Sequence, residues 1–336
     1  MVTAKIVAVD YFVPSMTLTN EDLALKFPEW SVEKIAGKTG INTRHIASVD
    51  EFSSDLAVGA ARALFASSNA DVESIDFLIL CTQSPDFSTQ STAQEVQRRL
   101  GLRAGIGATD MNLGCSGYIY ALGLAKGLVE SLMARNVLVV TADTYSKFVN
   151  AGDKSVRTIF GDGASASLVS GVEGPESLYA FSYGTDGNRG GALVVPNGGI
   201  RSGEDLAPRS SADVRGLVSN GFDLYMDGPA IFNFTLEVVP ETVVNILQKA
   251  QLTMEQVDLF IFHQANAFML EHLRKKLGIS AERFFVSLAD FGNTVSSTIP
   301  IAITEAVRQG ILKPGMRVML LGFGVGLSWG GLVVNW

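Results

Sequence analysis

Apolar positions along the chain fall into two kinds of stretch. Short runs of consecutive apolar or β-branched residues, Lys5 to Val9, Asp76 to Cys81, Asn136 to Thr141 and Val257 to Phe262, have strand length. They show no polar alternation, as expected of strands covered on both faces. Between them, Ser53 to Ser67 sets Leu56, Val58, Ala60, Ala61, Leu64 and Phe65 on one side of a helix. Asn20 and Ser31 open two shorter helices, and Thr92 with Glu95 has capping-box spacing ahead of a helix ending near Gly101. Gly117 to Leu132 carries Ile119, Leu122, Leu124, Leu128, Val129 and Leu132 with few charges, which predicts a helix buried on most sides. A further helix follows His263 and runs through Leu277, and Gly331 to Asn335 closes the chain as a strand. Strands alternating with helices predict an α/β fold.

The second half of the pattern repeats the first. Glu73 to Ser84 resembles Glu255 to Asn266, with Asp76 against Asp258. Gly127 then matches Gly310 and Arg135 matches Met316, so the offsets are 182, 183 and 181 residues. Three elements in one register predict an internal duplication, with an N-terminal half over 1–175 and a C-terminal half over 176–336. Between them Thr185 to Gly216, rich in glycine and serine, reads as a long surface or site-covering excursion.

Composition narrows the function. A chain of 336 residues with 47% hydrophobic and 18% charged content can bury a large core. A net charge of −8 argues against nucleic acid as a partner, since phosphate binding needs a basic face. The N-terminal stretch is one short strand pattern without the apolar core of a signal peptide, and an uninterrupted apolar run of membrane-spanning length is absent, so no membrane span is expected. Cys81 and Cys115 are the only cysteines, which points to a reducing cytoplasm rather than a disulfide scaffold. Cysteines and histidines are scattered without metal-ligand spacing, so no metal is expected.

The candidate chemistry begins at Cys115, which a strand-like approach from Asp110 delivers to the start of the apolar helix. Backbone N–H groups and the positive helix end favour a thiolate there. Gly114 and Gly117 allow a tight turn and a close substrate approach. His263 ends the second-half strand at the place Cys81 holds in the first, and Asn293 lies in the counterpart of the loop that carries Cys115. Each residue alone has an ordinary structural explanation: a buried thiol, a satisfied strand-end imidazole, a Gly-Asn turn. Equivalent strand ends of two packed copies converge, however, and ligands of parallel sheets bind beyond the carboxyl ends of strands. Cys115, His263 and Asn293 are therefore expected to face one another.

With these motifs in order, Lys38 to Ile41, Arg44 to Ile46, Asp110 to Gly117, His263 to Asn266, Phe291 to Thr294 and Gly322 to Gly330, the chain resembles the β-ketoacyl-[acyl carrier protein] synthase III family of the thiolase superfamily over nearly its whole length. The resemblance implies a thiolase-like five-layered αβαβα fold, a homodimer, and a Cys115, His263, Asn293 triad. It implies an oxyanion hole from the backbone N–H groups of Cys115 and Val325, and substrate contacts at Lys38, Phe87, Phe232 and Asn266, with Phe87 reaching across a dimer. The reaction implied is a decarboxylating Claisen condensation of an acyl thioester with a malonyl thioester through an acyl-cysteine. No tightly bound cofactor is expected, because acyl-CoA or an acyl carrier protein, with its phosphopantetheine thioester, is substrate and partner.

Departures from the family pattern concern the partner. Lys34 stands where the family's tryptophan meets the CoA adenine, Phe268 replaces an arginine used in carrier docking, Asn233 replaces a lysine, Lys38 replaces an arginine, and Val325 replaces a glycine. Arg274, Lys275 and Lys276 keep positive charge on the helix after His263. These changes point to a specialised lipid, polyketide or other secondary pathway. The alternative is an acyltransferase that forms an ester or amide from the same acyl-cysteine without decarboxylation. A thiolase would need a second catalytic cysteine in the C-terminal half, and none follows Cys115.

Overall fold

Apolar strand runs without alternation need cover on both faces, and helices on either side of two sheets supply it. The structure, a computed structural model, describes residues 2–200 and 221–336. The first sheet runs in the order Val2–Phe12, Gly163–Glu173, Asn136–Asp143, Phe77–Cys81, Gly107–Met111. Its first three strands pair antiparallel and its last three parallel. In the second sheet Leu178–Thr185, Ser328–Asn335, Arg317–Gly324 and Leu259–Phe262 follow with the same sequence of directions. An isolated parallel bridge from Phe260 to Phe284 stands where the fifth strand would be. The two sheets are copies in order and direction, as the offsets predict.

Helices Gly117–Glu130 and Thr298–Arg308 form the layer between the sheets. Their buried Tyr118, Ile119, Leu122, Ile299 and Ile303 share one core with Ile79, Val137 and Val139 of the first sheet and Ile261, Leu320 and Leu332 of the second. Ser53–Ser68 and Thr92–Leu100 cover the first sheet's other face, and Gly228–Ala250 with Ala267–Lys276 cover that of the second. The result is the expected five-layered αβαβα stack. Gly228–Ala250 is long and apolar enough by composition to cross a membrane. Here it is a core helix: Phe234, Val238, Val239, Val243 and Ile246 pack inward, while Glu237, Glu241 and Lys249 stand on its outer side.

Three local expectations change. The helix of residues 92–100 is not started by a Thr92 and Glu95 capping box. Instead the Asp110 carboxylate, at the end of the neighbouring strand, accepts from Thr92 N (2.7 Å), Ala93 N (2.7 Å) and Ser91 Oγ (2.8 Å), placing negative charge at the positive helix end. Glu95 turns away to Arg98. The central helix stops at Glu130, and Leu132 lies beyond it in a left-handed turn, exposed. The excursion expected over 185–216 lies partly outside the described residues; its described part holds a short 3₁₀ turn and the strand Leu193–Val194, which pairs with Tyr225–Met226.

Candidate active site

Cys115 sits in the tight turn between the strand Gly107–Met111 and the central helix, closed by the bond from Gly117 N to Gly114 O (2.8 Å). Ser116 ties this turn to the second half through Ser328 Oγ at 2.7 Å. The thiol is buried. Burial pushes its pKa up to about 12 and the nearby Asp143 adds to the rise, while the N–H groups of Val325 and of Cys115 itself pull it down. Against the thiolate expected at the helix start, burial favours the thiol form. Both N–H groups expected in the oxyanion hole do address the sulfur. Gly324 makes the approach feasible, because its φ is +158° and a Cβ there would lie 2.8 Å from Cys115 Sγ. Val325 turns its side chain onto Gly114, outside the residues that wall the cavity described below.

His263 follows the strand Leu259–Phe262, and its N–H donates to Leu321 O at 2.8 Å. Its Nδ1 lies 2.7 Å from Thr298 Oγ1, and the Phe323 ring meets it edge-on with centroids 5.5 Å apart. Burial lowers its pKa to about 3, so the imidazole is neutral at physiological pH. Asn293 is fixed through its backbone, with N donating to Ile159 O and O accepting from Gly161 N, each at 3.0 Å. Its Oδ1 accepts from Val295 N at 3.0 Å, which leaves the side-chain NH₂ to serve as donor.

Cys115, His263 and Asn293 all line one cavity of ≈ 450 Å³. Its walls are otherwise almost entirely apolar, including Leu193, Met226, Ile231, Phe232 and Met269. Phe232 and Asn266 line it as expected, although Asn266 Oδ1 is committed to capping the next helix at Met269 N. Lys38 and Phe87 do not line it. Lys38 is exposed and holds its ammonium 4.8 Å from the Trp30 ring centroid, and Phe87 is 55% exposed on the loop before residues 92–100. The basic run on the helix Ala267–Lys276 is largely engaged: Arg274 and Lys275 pair with Glu271, and Lys276 donates to Leu236 O.

Three further groups flank or brace the site without lining its cavity. Trp30, just before the helix Val32–Thr39, gathers the ammonium groups of Lys34, Lys38 and Lys154 at 5.4, 4.8 and 5.7 Å. The segment after Lys154 leads to Ile159 and Phe160 in the cavity wall. Buried Asp143 joins the halves, accepting from Gln83 N on one side and from Ser296 N and Oγ on the other, and burial raises its pKa to about 7. Fully buried Arg44 donates to Thr158 O at 2.6 and 3.1 Å, bracing the segment that carries Asn293's backbone partners. Nothing in the pattern of apolar positions marks such contacts, because the partners of Asp143, the Thr158 carbonyl on Arg44 and Lys154 beside Trp30 all lie far away in the chain.

A duplicated five-layered fold with a buried cysteine at the seam of its halves defines a thiolase-like protein. The family profile described as 3-oxoacyl-[acyl-carrier-protein] synthase III matches residues 109–187, and its C-terminal counterpart matches 247–336. The chain is 38% identical over 333 residues to β-ketoacyl-[acyl-carrier-protein] synthase III 2 of Halalkalibacterium halodurans, covering 99% of this chain and 96% of that one. A crystal structure of a 3-oxoacyl-(acyl-carrier-protein) synthase III superposes with a TM-score of 0.94 at 46% identity, over 99% of this chain and 100% of that chain. A 3-oxoacyl-(acyl-carrier protein) synthase from Burkholderia xenovorans gives 0.92 at 35%, over 99% and 93%. The chain belongs to the 3-oxoacyl-[acyl-carrier-protein] synthase III family.

Proposed function

We propose that the protein condenses an acyl thioester with a malonyl thioester, releasing carbon dioxide. The observation that carries this is the meeting of the Cys115 thiol, the neutral His263 imidazole and the free Asn293 amide in one apolar cavity. Cys115 sulfur attacks the donor's thioester carbonyl, the donor's C–S bond breaks, and the thiol proton ends on the leaving thiol. Malonyl thioester then loses its carboxylate as CO₂, and the electron pair left behind becomes an enolate. His263 and Asn293 donate to the enolate oxygen without supplying a base. The carbanion carbon bonds to the acyl carbon, the tetrahedral oxygen rests on the Cys115 and Val325 N–H groups, and the C–S bond to Cys115 breaks, the sulfur taking up the one solvent proton that the overall reaction consumes. The product is a 3-oxoacyl thioester. The alternative, an acyltransferase forming an ester or amide from the same acyl-cysteine, involves no decarboxylation, so release of CO₂ separates the two. The test is to acylate the protein from a panel of acyl-CoAs and acyl carriers, find the acyl mass on the Cys115 peptide, then add malonyl carrier and measure CO₂. Acylation without CO₂ would favour the ester- or amide-forming alternative.

Trp30 with its three lysines supports acyl-CoA as donor, offering a ring for the base and cations for phosphates. The enzyme acts as a homodimer in this reading. Its first sheet ends at Gly107–Met111, paired on one side only among the described residues, and an unpaired edge is a template for a second copy. Exposed Phe87 would then reach the partner's cavity. A reducing cytoplasm suits a nucleophile that must stay a thiol. The chemistry is complete with thiol, donors and substrate thioesters, without a resident cofactor, and the replacements at 268 and 233 fit a specialised pathway.

A further inference from the structure

We infer that Thr298 is a positioning residue for the condensation step, donating its hydroxyl proton to His263 Nδ1 and so keeping the imidazole's single proton on Nε2, toward the enolate oxygen. The inference rests on the reading of His263 as an enolate donor. A neutral imidazole has one N–H and one lone pair, and the partner of one nitrogen decides what the other presents. Burial keeps His263 neutral, and the helix Thr298–Arg308 begins beside it, its positive end further disfavouring an imidazolium. The tautomer is then the remaining variable.

Thr298 Oγ1 has one proton and two acceptors in reach: His263 Nδ1 at 2.7 Å and Val295 O at 3.2 Å. If the proton went to the carbonyl, Nδ1–H would have to donate to Thr298. Nε2 would then face the enolate with a lone pair, setting two electron-rich atoms against each other. Both arrangements keep the 2.7 Å contact to the ring, but only a proton donated by Thr298 to Nδ1 leaves Nε2 as the donor the reaction needs. Thr298 and His263 are each 2% exposed, so water has little access to compete. The Phe323 edge fixes the ring plane, leaving Thr298 to set which nitrogen carries the proton.

The experiment combines ¹⁵N NMR of histidine-labelled protein with half-reaction assays on Thr298→Val and Thr298→Ser. The chain has three histidines, so His45→Gln and His272→Gln assign the spectrum. Wild type should show His263 protonated on Nε2. Thr298→Val should lower malonyl decarboxylation and condensation by about 10²-fold, the scale of losing one well-placed oxyanion donor, with Cys115 acylation nearly intact. Thr298→Ser should restore condensation and the Nε2–H signal. A wild-type proton on Nδ1, a Thr298→Val enzyme condensing at the wild-type rate, or a serine variant as poor as valine would each overturn the inference. Should the valine variant not fold, the wild-type spectrum and the serine variant still decide it. A wild type that acylates but releases no CO₂ would instead remove the condensing reading, while the tautomer measurement would still judge the role of Thr298.

Discussion

Burial moves Cys115 and His263 in opposite directions, to about 12 and about 3, so each is uncharged across the physiological range. For His263 the unfolded chain binds a proton from 6.5 downward while the folded one resists, so stability is lost as pH falls from 6.5 toward 3. For Cys115 the folded state keeps its proton longer, so stability is lost as pH rises from 9 toward 12. Replacing His263 with Asn should flatten the acid side of a Tm-against-pH curve. In the rate profile of decarboxylation His263 should contribute no limb near 6.5; a limb near 7 would belong to Asp143 and should vanish in Asp143→Asn. Asn293→Ala should cut condensation by about 10²- to 10³-fold and spare acylation, because the amide acts only once the enolate forms. Equal loss of both steps would refute that role. Gly324→Ala should block acylation itself, as its Cβ would press on the sulfur in a backbone region alanine avoids. The convergence of Cys115, His263 and Asn293 was legible in sequence, from a strand-end histidine equivalent to Cys81 and from the counterpart loops that carry Cys115 and Asn293. The protonation state of Cys115 was not, because desolvation depends on what surrounds a group in space.

Among elements, the central helix Gly117–Glu130 was readable from its run of apolar residues, and its burial between two sheets sets its worth. Leu122, fully buried there, should cost about 2–5 kcal/mol as Leu122→Ala, read by urea unfolding. An exposed neighbour such as Leu124 should cost far less. The cap of residues 92–100 misled a local reading because its carboxylate comes from Asp110 on another strand. Likewise Lys34 looked like the loss of an aromatic platform, whereas Trp30, a turn earlier on a helix approach, recruits that lysine. Trp30→Ala should raise KM for acyl-CoA and leave KM for a pantetheine-only thioester unchanged; an equal rise for both would show that the ring does not hold the nucleotide.

On the scale of the molecule, repetition was the most legible feature, since offsets near 182 residues became two sheets with the same order and directions. It also explains why Cys115 belongs to one copy and His263 and Asn293 to the other, with Asp143 bonded across the seam. The proposed pairing of two chains along Gly107–Met111 should give a dimer in sedimentation equilibrium at micromolar concentration, and a monomer there would refute it. The ribbon of Leu193–Val194 and Tyr225–Met226 follows neither copy, yet its Leu193 and Met226 wall the cavity that Cys115, His263 and Asn293 line. The cavity's size is thus set in part by an appendage that carries none of Cys115, His263 and Asn293, and such a layout lets the cavity change under selection while those three stay fixed.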